Sequence, residues 1–328
     1  MNPVEVTTGA RLHFGLICAP VGTPFRFGGV GLMLQQPAWR LHVSRADSFS
    51  CQADSSEVQQ RLQALLPRFG QLRGLSGLHV EVRNELPLHR GLGAGTQLSL
   101  ALATAAGLLA GHRLPDSSLL LAEQLDRARR SAVGSYGFDR GGLIIDHGHP
   151  PGGRDRQLNR LQLPEDWRVV LLLPAGPPGL SGPKEEASFQ AERLMSDELI
   201  REQSTLMTDD ITAAVETQDF DRFVASLGRY GTNAGRFFAA EQGGVYSSEV
   251  FRRWANAGLF GDLNPVQSSW GPTVAIFAPS STAAENIVQQ VESFGSDKVY
   301  CLVTEVRKTG ATARSLAPEP HNATPRLC

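Results

Sequence analysis

Residues 87–96, Pro-Leu-His-Arg-Gly-Leu-Gly-Ala-Gly-Thr, follow an alternating apolar stretch and run directly into a small-residue helix. Glycine at every second position, 91, 93 and 95, marks a backbone that turns tightly and comes close to something. Upstream, Leu78, Val80 and Val82 alternate on one face of a strand; downstream, Leu98, Ala101, Leu102, Ala105, Leu108 and Leu109 recur at helical spacing up to Gly111. The segment therefore joins strand to helix, where the first helical amides point at an anion and a phosphorylated small molecule is the natural ligand. The spacing alone also suits an ordinary strand-to-helix turn. Its alanines and Gly107 let the helix lie close to a sheet.

Periodicity along the chain gives a mixed α+β pattern. Strands are predicted over 4–18, 29–34, 38–45, 78–85 and 142–147, and helices over 56–69, 96–111 and 116–131. The Pro- and Gly-punctuated run 149–156 reads as a domain edge. A second half follows, with a strand at 168–173, a Pro/Gly loop at 174–183, helices at 185–217, 219–239 and 247–259, and strands at 273–277 and 299–307. This gives domains 1–155 and 156–308, with 309–328, which lacks periodicity, as a mobile tail.

Several function classes are excluded on composition. Lys and Arg total 31 against 33 Asp and Glu, with no long basic run, so nucleic acid and anionic membrane surfaces are not expected partners. Cys18, Cys51, Cys301 and Cys328 show no paired metal or redox spacing. No run reaches membrane-spanning length and the opening residues carry no basic or apolar leader, so the expected location is the cytoplasm. Asp146-His147-Gly148-His149 has two histidines and a carboxylate but leaves a strand for a turn and lacks a fourth ligand, so no metal site is expected. Asp209-Asp210 reads as a solvated helix face.

The Pro-x-x-x-Gly-Leu-Gly pattern at Pro87–Gly93 resembles the second motif of the galacto-, homoserine-, mevalonate- and phosphomevalonate-kinase (GHMP) superfamily. Two departures stand out. The motif's two serines are replaced by Ala94 and Gly95, leaving only Thr96 with a hydroxyl, and Gly134 of Ser131-Ala-Val-Gly134 occupies the place of the aspartate that activates the kinases' substrate. A hydroxyl nucleophile would lack its base, unless Asp139, five residues on, served instead. Ala10–Gly15, Arg26–Leu32, residues 131–142, Gly179–Gly182, Gln242–Tyr246 and above all Gln267-Ser-Ser-Trp-Gly-Pro272 resemble one non-kinase branch, the β-ribofuranosylaminobenzene 5′-phosphate synthase family.

That resemblance implies a GHMP-kinase-like two-domain α+β fold, with an N-terminal left-handed βαβ domain of the ribosomal-protein-like type and a ferredoxin-like C-terminal domain. It implies an enzyme of tetrahydromethanopterin-type cofactor biosynthesis, a decarboxylating phosphoribosyl transferase acting on phosphoribosyl pyrophosphate and 4-aminobenzoate or 4-hydroxybenzoate. It also implies no ATP, Mg2+ arriving with the pyrophosphate group, small-molecule substrates as the only partners, and a homodimer. A kinase using Asp139 and a non-catalytic phosphosugar-binding relative are the alternatives.

Such a reaction needs anion binders and stabilisers of a departing diphosphate. The catalytic candidates are Arg11, His13 and Arg140; Arg11 and His13 share one face of the first strand, a pattern that also fits a solvated edge. The substrate-binding candidates are Arg26, Arg90, Gly91, Gly93, Ala94, Gly95, Thr96, Gln97, Ser268, Ser269, Trp270 and Gly271. Trp270 offers an indole face to an aryl ring or, equally, a core side chain beside a turn. Gln242–Tyr246 offers a second wall for the aryl group or a helix-ending turn. Arg127, Arg129 and Arg130 read as complements to a helix C-terminus.

Overall fold

The computed structural model describes residues 2–112, 118, 121–122, 130–148, 156–179, 193–295 and 297–317. Most of the helix expected over 116–131, with Arg127 and Arg129, lies outside the described residues, as do 149–155, 180–192 and 318–328.

The first sheet is organised around β1 (Val4–Leu16) and β2 (Gly29–Arg45), which run antiparallel. A short strand β3 (Ser50–Gln52), helix α1 (Ser56–Leu72) and strand β4 (Leu78–Asn84) form a parallel crossover that lays β4 along Arg40–Arg45 of β2. Helix α2 (Ala94–Leu109) packs on β1 and β2, with nearly all its residues buried, as its alanine content requires. Helix α3 (Val133–Arg140) leads into β5 (Leu143–Asp146) along Gly29–Leu32 of β2, and β5 takes β6 (Leu158–Leu161). Neither α3, which carries two glycines, nor the four-residue β6 has enough periodic residues to read from sequence. Because β6 still belongs to this sheet, the chain changes sheets between Leu161 and Arg168, beyond the expected edge at 149–156.

The second sheet contains β7 (Arg168–Pro174), β8 (Val266–Gln267), β9 (Val274–Ala278) and β10 (Val299–Thr304), all antiparallel in the order β10-β7-β9-β8. Between β7 and β8 come α4 (Asp197–Thr205), a π-helical turn (Leu206–Asp210), α5 (Ile211–Glu216), α6 (Phe220–Phe237), α7 (Ala239–Gln242) and α8 (Glu249–Asn256). A further helix, α9 (Ser281–Glu292), is capped by the Ser280 hydroxyl, which accepts from Ala283 N–H at 3.2 Å, and buries Ala284, Ile287 and Val291 at helical spacing.

The two sheets are stitched together at an irregularity. The pairing of β1 with β2 jumps from Gly9–Ala38 to Arg11–Met33, so β2 is one strand with a distorted middle where two strands were expected. The freed stretch meets the chain leaving β10: Gln35 N–H donates to Glu305 O at 2.8 Å, and Leu34 bridges Val306. Beyond it, β11 (Thr312–Ser315) pairs with Val4–Thr7 of β1, so the segment expected as a tail from Thr309 begins as an edge strand. Its four side chains are all exposed, which is why no hydrophobic alternation announced it. One apolar cluster then runs through both halves, with Phe14 against Phe277 at 6.1 Å and Phe277 against Phe223 of α6 at 5.1 Å. β11 flanks only Val4–Thr7 of β1, but at Arg11 and His13 the same edge bonds to Leu92, Ser268 and Ser269 and the strand is covered by α2 and α6, so the solvated-edge reading of the two residues does not apply.

Two buried groups on β1 fix how the fold responds to acid. Burial alone would raise the pKa of Glu5, but His42, Arg40 and Arg314 donate to its carboxylate at 2.8, 2.7 and 2.8 Å and hold it at about 2. Ionised Glu5 thus stabilises the fold above its ordinary 4.5, a contribution lost as the pH falls from there toward 2. Burial and then Arg11 lower His13 from 6.5 to about 3, so between those values the unfolded chain binds a proton that the folded chain refuses. Both effects make stability rise with pH. Denaturation midpoints are expected to fall as the pH drops below 6.5 and more steeply below 4.5, with Glu5→Gln removing the second phase. A flat profile through both ranges would contradict these assignments.

Candidate active site

The loop at Gly91 has a contorted backbone. His89, Gly91 and Gly93 have φ values of 53°, 77° and 68°, and Gly93 immediately precedes α2. Gly93 O accepts from the amides of Thr96 and Gln97, both at 3.1 Å. The amides of Ala94 and Gly95, in the first turn, have no partner within the helix and lie at its positive end. Ties that hold the loop include Arg11 N–H to Leu92 O at 2.9 Å, Gly179 N–H to His89 O at 3.0 Å, the Ser268 hydroxyl to Gly91 O at 2.6 Å, and Trp39 Nε1–H to Ala94 O at 3.0 Å.

Two guanidinium groups flank this opening. Arg11 Nε lies 3.1 Å from where a Cβ on Gly93 would stand and 3.6 Å from the equivalent point on Gly134; the Thr96 methyl is 3.3 Å from the latter. Gly134 therefore lies beside the start of α2, facing the Arg11 guanidinium. From α1, a terminal nitrogen of Arg61 comes within 3.6 Å of the Cβ point of Gly95, and its Nε is buried with no hydrogen-bond partner among the described residues. Nothing local in the sequence singles out Arg61, because position 61 meets position 95 only through the packing of two helices.

The loop 267–272 closes against the Gly91 loop, but its groups divide between support and exposure. Ser268 is wholly buried; its hydroxyl accepts from His13 N–H at 3.0 Å while donating to Gly91 O, so it joins the loops instead of reaching a phosphate. Ser269, at φ 54°, donates its amide to His13 O at 2.6 Å and leaves its side chain exposed. Trp270 is 5% exposed and packs edge-on against Phe238 at 4.8 Å. Gly271, at φ 65°, leaves room for the Ser247 hydroxyl, which would stand 2.2 Å from a Cβ there. Gln242 ties the 235–246 turn together, donating to the Gly244 and Val245 carbonyls at 3.0 and 2.9 Å and accepting from Gln267 Nε2 at 3.0 Å. The Gln-Gly-Gly segment is thus a braced turn.

Other predicted residues lie elsewhere. Gln97 is buried, accepting from Thr8 at 2.7 Å and donating to Gly134 O at 2.9 Å, which locks α2 to the start of α3. Arg90 turns away and donates to the carbonyls of Pro174 and Gly176, at 3.4 and 3.0 Å. Arg140 ends α3 on an exposed face, six residues and about 9 Å along the axis from Gly134. Asp139 shares that remote end: it accepts from Ser118 N–H at 2.8 Å, and burial raises its pKa. Arg26 sits in the turn before β2, over the Phe27 ring at 4.9 Å, with a buried Nε that has no hydrogen-bond partner among the described residues. His13 is buried, and both ring nitrogens are engaged within the protein. No cluster of three or more His, Cys, Asp or Glu suited to a metal ion occurs among the described residues. Nor, among them, is any helix long and apolar enough to cross a membrane.

Residues 57–139 match the family model described as the GHMP kinases N terminal domain. The chain is 28% identical to beta-ribofuranosylphenol 5'-phosphate synthase of Archaeoglobus fulgidus, over 94% of its own length and 98% of the relative's. Against the protein of the same name from Methanothermobacter thermautotrophicus it is 27% identical over 65% and 73% of the respective lengths. Among solved structures, mevalonate diphosphate decarboxylase from Enterococcus faecalis matches with a TM-score of 0.65 at 15% identity, covering 96% of this chain and 99% of that one. The architecture is the GHMP-kinase-like α+β fold.

Proposed function

We propose that this chain, a relative of the beta-ribofuranosylphenol 5'-phosphate synthases on the GHMP-kinase fold, is a transferase joining a phosphoribosyl group to an aromatic ring carbon. The donor is phosphoribosyl pyrophosphate and the acceptor 4-hydroxybenzoate or 4-aminobenzoate. The observation that carries this reading is the pairing of Gly134 with Arg11: where phosphotransfer needs a base, the cradle presents a cation.

In this chemistry the bond from the anomeric carbon to diphosphate breaks with its electron pair leaving on oxygen. The ring carbon bearing the carboxylate forms the new bond, and loss of CO2 returns the electrons to the ring, so no side chain has to remove a proton from carbon. The protein's task is to hold anions and stabilise the departing charge. Arg11, Arg61 and the Ala94 and Gly95 amides suit the diphosphate. Phe238, half-buried against Trp270, suits the aryl ring. Magnesium, when required, arrives on the diphosphate. A kinase reading gains nothing from Asp139, bound as it is to Ser118 at the other end of α3.

Incubated with phosphoribosyl pyrophosphate and carboxyl-labelled 4-hydroxybenzoate or 4-aminobenzoate, the protein is expected to release diphosphate and labelled CO2 in equal amounts without ATP. A phosphorylated product made at the expense of ATP, with no CO2, would overturn the proposal.

A further inference from the structure

Behind the candidate site lies a buried carboxylate that the reaction above does not use. Asp146, at the end of β5, is wholly buried. Its Oδ1 accepts from Gly148 N–H at 2.9 Å; its Oδ2 accepts from Ala132 N–H at 2.7 Å, the Ser131 hydroxyl at 3.2 Å and Arg156 at 3.3 Å. A buried charge persists only with such a donor set, and removing donors leaves it uncompensated. Ser131 passes the order on. Its oxygen accepts from Val133 N–H at 3.2 Å and lies 3.0 Å from His13 Nε2. Since Gly15 N–H donates to His13 Nδ1 at 3.3 Å, the ring proton sits on Nε2 and points at Ser131.

His13 is where this chain of bonds reaches the loops. Its amide donates to the Ser268 hydroxyl, its carbonyl accepts from Ser269 N–H, and Ser268 in turn donates to Gly91 O. Asp146, Ser131, His13, Ser268 and Gly91 form one continuous hydrogen-bonded series from the first sheet, through the start of α3, to both loops of the site. The ring is wedged as well: a Cβ on Gly29 would stand 3.0 Å from its Cε1. Gly134, three residues after Ser131, is placed by the same helix start.

We propose that Ser131 and Asp146 are positioning residues: they fix the tautomer and orientation of His13 and thereby the register of the 267–272 loop on the Gly91 loop. The activity readout rests on the proposed transfer reaction, whereas anion binding and the histidine spectrum do not.

The test uses the full chain with Ser131→Ala, which cuts the link to His13 but leaves Asp146 its bonds to Ala132, Gly148 and Arg156. The melting temperature is expected to stay within about 3 °C of the parent. The dissociation constant for inorganic diphosphate is expected to rise about tenfold, and kcat/KM for the transfer to fall about 10- to 100-fold, the range for loss of a group that orients a ligand-holding residue. Nitrogen-15 spectra should show one Nε2–H tautomer for His13 in the parent and a mixture in the variant. Ser131→Thr, which keeps the hydroxyl, should restore all three. If the alanine variant does not fold, Ser131→Cys, with a weaker donor of similar size, is expected to give the same changes at smaller amplitude. Unchanged diphosphate affinity and an unchanged tautomer in a folded Ser131→Ala or Ser131→Cys protein would overturn the inference. Failure of the parent to release CO2, with these binding changes intact, would instead count against the proposed reaction alone.

Discussion

Gly134→Asp is expected to abolish the proposed transfer, lowering kcat/KM by about 10²- to 10³-fold, without creating an ATP-dependent kinase. Its Cβ would stand 3.6 Å from Arg11 Nε, so the new carboxylate pairs with that guanidinium and cancels the charge that the proposed reaction directs at the departing diphosphate. Size and charge are separable. The nearest atom to that Cβ is the Thr96 methyl at 3.3 Å, a contact that asks for a shift of a few tenths of an ångström, so Gly134→Ala should fall by less than about tenfold. Gly134→Asn, isosteric with aspartate but neutral, should lie between the two. Steady-state kinetics of the three variants measure the order. If aspartate and asparagine behave alike, charge is irrelevant at this point and Arg11 has no electrostatic part in the reaction. If aspartate instead yields a phosphorylated product from ATP, the cradle is still that of a phosphotransferase.

Gly91→Ala is the second large effect. The residue has φ 77°, and a Cβ would lie 2.5 Å from Ser268 O and 3.1 Å from Gly271 O, both backbone atoms of the facing loop. Main chain cannot rotate away as a side chain can, so the two loops must separate. The left-handed conformation itself adds about 1 kcal/mol for alanine. Displacement on the scale of an ångström costs about 10²-fold when it misplaces reacting groups. Activity and diphosphate affinity are expected to collapse together, while far-ultraviolet circular dichroism stays close to that of the parent because the clash is between loops and not within a sheet. Gly295→Ala is the control, since a Cβ there meets nothing within 4 Å, although its φ of 123° adds local strain. Retention of more than half the activity by Gly91→Ala would mean that the loops do not need to touch.

The sequence was most informative where periodicity and turn chemistry coincide. The strand from Leu78, the glycine loop and the alanine-rich helix were all legible, and each has its expected place. Elements too short or too glycine-rich to show a period were not: β3, β6 and α3 exist because neighbouring strands and helices supply what their own residues lack. The same distinction separates the site residues. Strand alternation alone leaves Arg11 as readily a solvated edge residue, and only the family resemblance makes it a candidate. Arg61 was missed because an arginine on an amphipathic helix looks like any solvated one until α1 is laid beside α2. Ser268 and Gln97 carried suitable hydroxyl and amide groups, yet tertiary packing uses both as internal ties.

By itself the sequence determined that a glycine-rich turn would open a buried helix after a strand; its resemblance to the GHMP superfamily added that Ala94, Gly95 and Gly134 stand where those motifs carry two serines and an acid. These are local matters, set by backbone freedom at glycine and by which functional groups the chain contains. Only the tertiary structure decided which charges meet at that turn, which hydroxyls are left to face a ligand, and that a carboxylate at the end of β5 reaches the loops through Ser131 and His13. Those outcomes depend on contacts between residues as far apart as Gly91 and Ser268, whose proximity is fixed by how two sheets share one core.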